Sequence, residues 1–170
     1  MELLLQKSLL RPWRTGDEPS LEKHANNRRV WVNVRDHFPH PYTHGDALRW
    51  VEHASEHLSG TVFAIVVEGN AVGSIGLVSK EDVYRKSMEI GYWIGEEYWG
   101  RGIVSEAVGA VSEYAFRQFD IIRLYADVFA WNAASARVLI KNGYQFEARL
   151  KNAVIKDGMI TDVMIYAKLK

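Results

Sequence analysis

The segment GYWIGEEYWGRGIVSEAV, which covers residues 91–108, constrains the fold more than any other part of the sequence. Its first residues are typical of a strand, and its last residues place apolar side chains three and four positions apart, as on the buried face of a helix. Between them, two glycines flank Arg101. Free N–H groups and the helix dipole converge at such a junction, and glycine has no Cβ to block an anion. The segment therefore predicts a strand, a phosphate-binding turn and a helix.

Two well-known phosphate motifs approximate this turn without matching it. Residues 95–102 have the glycine spacing of a P-loop, but Arg101 stands at the lysine position and Gly102 at the position of the Mg²⁺-binding hydroxyl. The pattern Gly100-x-Gly102-x-x-Ser105 lacks the third glycine of a dinucleotide fingerprint and follows a predicted hairpin. A nucleoside triphosphatase and a Rossmann dehydrogenase are both disfavoured. The alternative that these are simple turn glycines stays open.

The composition excludes several classes of protein. A chain of 170 residues with 48% hydrophobic content predicts one domain, residues 1–170, with a buried core. Lysine plus arginine equal aspartate plus glutamate at 21 each, so neither nucleic acid nor a membrane is expected as a partner. The absence of cysteine excludes disulfides and thiolate chemistry. The N-terminal apolar run is too short for a signal peptide, so a cytoplasmic location is expected.

Periodicity and turn residues predict a mixed α/β (α+β) chain with a single sheet flanked by helices. About seven strands, mostly antiparallel, are expected. They lie at LLLQKSLLRPW, TVFAIVVE, AVGSIGLVS, SMEIGYWIG and RLYADVF, and on both sides of the Asp157-Gly158 turn. Helices are expected within residues 20–36, from a Thr43/Asp46 capping box to about Gly60, after the glycine turn, and from Asn132 to residues 142–143.

Two segments carry a family resemblance. EIGYWIGEEYWGRGIVSEA, followed later in the chain by NAASARVLIKNGYQF, closely resembles the GNAT superfamily of N-acetyltransferases, in particular the branch of ribosomal-protein serine/alanine N-terminal acetyltransferases. The likeness covers nearly the whole chain, because the opening strand, the WVEH helix, the EGNAVGSIGL hairpin and the closing strands occur in family order. It implies the GNAT fold, in which the fourth strand, SMEIGYWIG, splays from the fifth, RLYADVF.

The resemblance also implies that acetyl-CoA is the cosubstrate and that backbone N–H groups of the glycine turn hold the diphosphate. No metal is expected. The candidate cofactor-binding residues are Trp93, Ile94, Trp99, Gly100, Arg101, Gly102, Ile103, Val104 and Asn132. Glu97 departs from the glutamine or arginine that the family often has, and a carboxylate cannot donate to phosphate. Lower affinity is therefore expected. Arg101 as an ordinary surface residue and Asn132 as a helix N-cap are open alternatives.

Acetyl transfer requires a base, an oxyanion-binding donor and a proton for the leaving thiol. By resemblance, Glu89 is the candidate base and the N–H groups near Trp93 or Ile94 are the oxyanion donors. Leu139 stands where many members have a tyrosine acid, so Ser135, one turn earlier, is the candidate acid. A solvent-facing strand carboxylate and an ordinary helix serine are the alternatives. A thiol with a pKa of about 8.5 leaves without much help, so loss of the tyrosine is tolerable.

The acceptor amine is less constrained than the cofactor. Residues of the proline-rich loop and the helix before it border the acceptor channel by resemblance, with a packed structural loop as the alternative: Trp31, Asn33, Phe38, His40 and Tyr42. An α-amine with a pKa of about 8 is more often neutral than a lysine or polyamine amine near 10.4, which favours a protein or peptide N-terminus. A small-molecule amine (polyamine, amino acid or antibiotic) and a non-catalytic acyl-CoA sensor stay open.

One further pattern belongs to a different chemistry. His53, Glu56 and His57 match the H-x-x-E-H motif of some zinc proteases, and both histidines would share a helix face. Short matches recur by chance and the flanking sequence is that of a surface helix, so a zinc site is not expected. The aromatic-rich loops would suit a homodimer, but the oligomeric state is not readable from the sequence.

Overall fold

The structure is a computed structural model that describes residues 2–170. Its strands are β1 Leu3–Leu4, β2 Leu9–Arg11, β3 Val62–Val67, β4 Asn70–Ser79, β5 Ser87–Ile94, β6 Arg123–Phe129, β7 Gln145–Lys156 and β8 Met159–Leu169. Its α-helices are α1 Glu18–Ala25, α2 Arg28–Trp31, α3 His44–His57, α4 Ile103–Gln118 and α5 Ala133–Lys141. The eight strands form one sheet in the order β1-β2-β3-β4-β5-β6-β8-β7, which confirms the predicted mixed α/β class.

Most of the sheet is antiparallel, as predicted. Antiparallel pairing joins β1 to β2, β2 to β3, β3 to β4, β6 to β8 and β7 to β8, whereas β5 and β6 run parallel. The parallel register ends at the pair Glu89 and Tyr125. Both strands continue beyond it, β5 to Ile94 and β6 to Phe129. The predicted fourth and fifth strands are therefore the two whose pairing stops early.

The first predicted strand is in fact two, which raises the count from seven to eight. β1 and β2 form an antiparallel hairpin, in which the Leu5 N–H donates to the Ser8 carbonyl at 2.9 Å. The two residues at the tip, Gln6 and Lys7, both donate backbone N–H groups to the carboxylate of Glu106 in α4. The polar pair Gln6 and Lys7 therefore forms the turn inside this apolar run, because its N–H groups bond to α4 and not to a neighbouring strand.

The predicted capping box, helix stop and hairpin turn are confirmed. In the α3 capping box, the Asp46 N–H donates to the Thr43 hydroxyl at 3.2 Å and the Thr43 N–H donates to the Asp46 carboxylate at 2.8 Å. Gly143 follows α5 with φ +82°, the left-handed conformation expected of a helix stop. Asp157 and Gly158 both have positive φ between β7 and β8, as a two-residue hairpin turn requires.

The residues cluster into two compact units: one holds the chain up to Gly76 with Tyr92–Ala107, and the other holds Leu77–Gly91 with Val108–Lys170. In the first, buried side chains of α1 and α3 pack against β3 and β4. In the second, Val111, Leu124 and Leu139 are fully buried. The single domain over residues 1–170 stays a prediction. None of the helices within residues 2–170 has both the length and the apolar character needed to cross a membrane.

A buried ion pair holds the start of α1. Both guanidinium NH groups of Arg11, in β2, donate to the Asp17 carboxylate at 2.7 Å, and the two side chains are 2% and 7% exposed. Asp17 occupies the N-cap position of α1 without making the usual cap hydrogen bond. Its carboxylate instead joins the helix to the sheet, which sets the direction in which α1 leaves β2.

A buried tyrosine makes the second unit sensitive to alkaline pH. The Tyr144 hydroxyl lies 2.8 Å from the Ser112 hydroxyl, and burial raises the pKa of Tyr144 to about 12, although that hydrogen bond opposes the shift. The unfolded phenol ionises first, near pH 10, so the folded state loses stability as the pH rises from 10 towards 12. We expect the free energy of unfolding to fall by about 1 kcal/mol more in the wild type than in Tyr144→Phe between pH 9 and pH 11.

Urea unfolding of both proteins at the two pH values measures this difference. Other groups that titrate in this range are shared by the two proteins and cancel in the comparison. Equal pH dependence in the wild type and Tyr144→Phe would contradict the assignment.

Candidate active site

The glycine turn between β5 and α4 presents a row of unbonded backbone N–H groups. Gly100 and Gly102 have φ values of +73° and +77°, a conformation that favours glycine. The N–H groups of Tyr98 and Trp99 bond back to the carbonyls at positions 95 and 96, and the Glu106 N–H bonds to the carbonyl at position 102. Within the described chain, the N–H groups of residues 100–104 form no hydrogen bond. The turn can therefore bind an anion at the start of α4.

The outer side of the turn is open. A Cβ added at Gly100 would meet no atom within 4 Å. Arg101 is exposed, and its guanidinium carbon lies 5.2 Å from the ring centroid of Tyr98. The Trp99 indole N–H donates to the Ile94 carbonyl at 2.9 Å, which closes the turn onto the end of β5. The space immediately beside Gly100 is therefore open to an anion, and Arg101 adds a positive charge.

Two further glycines allow close packing behind the turn. A Cβ at Gly73, in β4, would lie 2.4 Å from the Trp93 carbonyl oxygen, so only glycine lets the two backbones approach there. A Cβ at Gly95 would lie 2.7 Å from Nδ1 of His24 in α1. The Gly95 N–H also donates to the Val72 carbonyl at 2.8 Å. The sequence analysis missed Gly73, although a glycine inside a predicted strand is a signal for close backbone approach.

Glu97 faces α1, where it forms an ion pair with Lys23 and contacts His24. Its carboxylate lies 3.1 Å from the Lys23 ammonium and 3.3 Å from Nδ1 of His24, whose ring packs edge-on against Tyr98. The hydrogen bond from Lys23 holds the pKa of Glu97 below its usual value. Burial lowers the pKa of His24, although Glu97 acts in the opposite direction. The residue that departs from the family pattern therefore has partners of its own in α1.

The neighbouring glutamate is anchored to α2. Glu96 pairs with the guanidinium of Arg29 and accepts a hydrogen bond from the Asn27 side chain at 2.9 Å. The Arg29 guanidinium also lies 5.4 Å from the Trp99 ring centroid. These contacts join positions far apart in the chain, so no local pattern signalled them.

In the second unit, Glu89 is buried and paired. It is 8% exposed, and its carboxylate accepts a hydrogen bond from the Lys80 ammonium at 2.9 Å. The same ammonium lies 5.5 Å from the ring centroid of Tyr125, the residue opposite Glu89 in the parallel register. The hydrogen bonds to Glu89 and then to Tyr125 raise the pKa of Lys80. The alternative of a solvent-facing carboxylate at Glu89 is wrong.

The start of α5 holds the other two predicted residues of the second unit. Asn132 is the N-cap: its side-chain oxygen accepts the Ser135 N–H at 3.1 Å. Ser135 is half-buried in the first turn of the helix. Leu139, one turn later, is fully buried. The interpretation of Asn132 as the N-cap of α5 is therefore confirmed.

The predicted acceptor residues fall into two groups in the first unit. Phe38 contacts Tyr42 and Trp93 at centroid distances of 4.9 and 5.3 Å, so the loop packs on the end of β5. Tyr42 is 5% exposed, and burial raises its pKa. Trp31 and His40 stack on each other at 5.4 Å.

Asn33 lies in the turn after α2 and is held by that helix rather than by the proline-rich loop. Its side-chain NH₂ donates to the Arg29 carbonyl at 2.9 Å. Trp31, His40 and Asn33 therefore form the less buried part of the set, whereas Tyr42 belongs to the core.

The histidines of the zinc-like motif share a face of α3, with ring centroids 5.2 Å apart. Across residues 2–170, no group of three or more histidine, aspartate or glutamate side chains is placed to hold a metal ion.

Comparison with known proteins agrees with the fold. The family model described as acetyltransferase (GNAT) domain matches residues 7–145, so the chain belongs to the GNAT acetyltransferase family. The putative ribosomal N-acetyltransferase YdaF of Bacillus subtilis (strain 168) is 31% identical over 113 residues, covering 66% of this chain and 61% of that protein. The ribosomal-protein-serine acetyltransferase of Escherichia coli (strain K12) is 30% identical over 108 residues, covering 64% and 60%.

The chain thus spans 61% and 60% of the lengths of these two curated relatives. Among solved structures, RimL, a ribosomal L7/L12 alpha-N-protein acetyltransferase in complex with coenzyme A, superimposes with a TM-score of 0.85 at 23% identity. That match covers 98% of this chain and 96% of the other. The structural likeness establishes the GNAT fold.

Proposed function

We propose that this protein is an acetyl-CoA-dependent N-acetyltransferase that modifies the α-amine of a protein or peptide N-terminus. The observation that carries the proposal is the run of unbonded N–H groups at residues 100–104, which includes two glycines of positive φ at the start of α4. Family membership supports the activity. The transfer is direct attack of the amine on the thioester within a ternary complex, with no covalent enzyme intermediate.

The residues of the turn fit the diphosphate of coenzyme A. The N–H groups of residues 100–104 would bind its oxygens, the open side at Gly100 admits them, and Arg101 would add charge. The Asn132 side-chain NH₂ would bond the pantetheine arm, while its oxygen caps α5. Bound acetyl-CoA supplies an acetyl group already activated as a thioester.

The two proton-transfer roles fall to side chains of the second unit, Glu89 and Ser135. Glu89 would remove the proton of the attacking amine, directly or through water, and the Lys80 ammonium holds its carboxylate in place. As the C–S bond breaks, Ser135 would donate a proton to the departing thiolate, so that coenzyme A is released as the thiol. Backbone N–H groups near Trp93 or Ile94 would stabilise the charge that develops on the carbonyl oxygen.

Two considerations support an N-terminal α-amine as the acceptor. A peptide α-amine, with a pKa of about 8, needs a weaker base than a side-chain amine near 10.4. The relatives named above are a putative ribosomal and a ribosomal-protein-serine acetyltransferase. The stacked pair Trp31 and His40, together with Asn33, would contact the first residues of the peptide.

The test is thiol release from acetyl-CoA, measured with a chromogenic thiol reagent across N-terminal peptides, polyamines, amino acids and aminoglycosides. The protein has no cysteine and adds no background. A higher turnover rate with peptides than with the small amines supports the proposal. Turnover with a small amine alone would keep the acetyltransferase activity but show that the acceptor is that small amine and not a peptide. A shift in melting temperature with acetyl-CoA but no turnover on the whole panel would favour the binding-only sensor.

Replacing Glu97 by glutamine is expected to tighten coenzyme A binding by about threefold at low ionic strength. The change removes a negative charge next to the turn and releases Lys23 from its ion pair. The gain should shrink at high salt because both groups are exposed and screened. Calorimetric titration at two salt concentrations measures it, and a weaker complex would show instead that the Glu97 contacts hold the turn in its binding conformation.

A further inference from the structure

The β1–β2 hairpin reaches the phosphate-binding turn, although the sequence analysis assigned it no function. Its tip is clamped to the first turn of α4: the Gln6 N–H donates to one oxygen of Glu106 at 2.9 Å, and the Lys7 N–H donates to the other at 3.0 Å. Two hydrogen bonds to one carboxylate fix the position and the direction of the tip. The side chain of Lys7 therefore starts from a defined point beside the start of α4.

That side chain lies along the turn itself. The Lys7 ammonium donates to the Arg101 carbonyl at 2.9 Å, and a Cβ added at Gly102 would lie 2.7 Å from the ammonium nitrogen. An ammonium has three donors, and this bond uses one of them. The glycine at position 102 thus serves two needs: its φ is +77°, and its missing Cβ leaves room for Lys7.

The charges around the turn leave Lys7 available to an anion. The segment of residues 96–106 carries three carboxylates, and each has its own partners. Glu96 pairs with α2, Glu97 pairs with α1, and Glu106 accepts the two N–H groups of the hairpin tip. Lys7 is exposed and bonds to a carbonyl rather than to a carboxylate. Its positive charge is therefore not neutralised by an ion pair with these groups.

We infer that Lys7 binds a phosphate group of coenzyme A, beside the N–H groups of residues 100–104. The inference rests on the proposed function and adds a cation from outside the glycine turn. Lys7 would also compensate for Glu97, which cannot donate to phosphate, because Lys7 and Arg101 both supply charged hydrogen-bond donors. A cation on a peptide carbonyl can bridge that carbonyl and a phosphate oxygen with its remaining donors.

The experiment compares the wild type with Lys7→Gln, Lys7→Met and Lys7→Arg by calorimetric titration of coenzyme A, dephospho-coenzyme A and pantetheine. Lys151→Met, which removes an exposed lysine of β7, is the matched control. We expect Lys7→Gln and Lys7→Met to bind coenzyme A about fivefold more weakly at low salt and to lose this difference at high salt. Lys7→Arg should stay within about twofold of the wild type, and pantetheine affinity should not change.

Dephospho-coenzyme A identifies the phosphate. A loss for both nucleotides means that Lys7 contacts the diphosphate, a loss for coenzyme A alone means the 3′-phosphate, and either result supports the inference. If Lys7→Gln and Lys7→Met bind coenzyme A as tightly as the control Lys151→Met does, the inference is overturned and the proposed function stays intact. A wild type that binds no coenzyme A would overturn both. Melting temperatures close to that of the wild type show that the hairpin stays folded in the variants.

Discussion

Replacing Glu89 by glutamine is expected to lower kcat for peptide acetylation by about 10²- to 10⁴-fold, while the Kd for coenzyme A stays close to that of the wild type. Glutamine has the same shape and still accepts the hydrogen bond from Lys80, but it cannot take a proton from the amine. Steady-state thiol release measures kcat, and calorimetry measures Kd. Glu147→Gln is the control, because Glu147 is also a strand carboxylate paired with a cation, Arg123. Its kcat should not change.

The Glu89–Lys80 pair allows a purely structural role to be separated from a catalytic one. If Glu89 only neutralises Lys80, removal of both charges in the double variant Glu89→Gln with Lys80→Met should restore stability and activity together. If Glu89 is the base, the double variant should recover melting temperature but not kcat. Recovery of kcat in the double variant would remove Glu89 from the mechanism.

Replacing Gly102 by valine is expected to weaken coenzyme A binding by at least about 10-fold. The backbone at Gly102 has φ +77°, which a β-branched residue adopts only with strain. The new Cβ would also displace the Lys7 ammonium, because the two would lie 2.7 Å apart. The N–H groups that follow would then lose their common orientation. Calorimetric titration of coenzyme A measures the loss.

Gly158→Val is the matched control for this backbone strain. Gly158, in the β7–β8 turn, has φ +74° and no atom within 4 Å of an added Cβ. The two variants should lose similar stability, but only Gly102→Val should lose affinity. Equal affinities in the two variants would show that the shape of the turn at Gly102 is not needed for binding.

The sequence by itself determined the features that depend on neighbours a few residues away. The capping box at Thr43, the helix start at Asn132, the Gly143 stop and the Asp157-Gly158 turn were all predicted, because each depends on the conformational preferences or hydrogen bonds of adjacent residues. The glycine turn before α4 was found for the same reason. The family, and with it the fold, followed from two short segments.

Only the tertiary structure decided the environment of each charged group. The sequence indicates Glu89 as a candidate base, but only the fold places the Lys80 ammonium 2.9 Å from its carboxylate. Glu97 proved to face Lys23, and Lys7 proved to lie on the Arg101 carbonyl. These partners come from different elements, and a periodic pattern records which face a residue occupies but not which distant residue meets it. Long-range packing brings these partners together, so the ion pairs and hydrogen bonds of the site are determined by the tertiary structure and not by the local sequence.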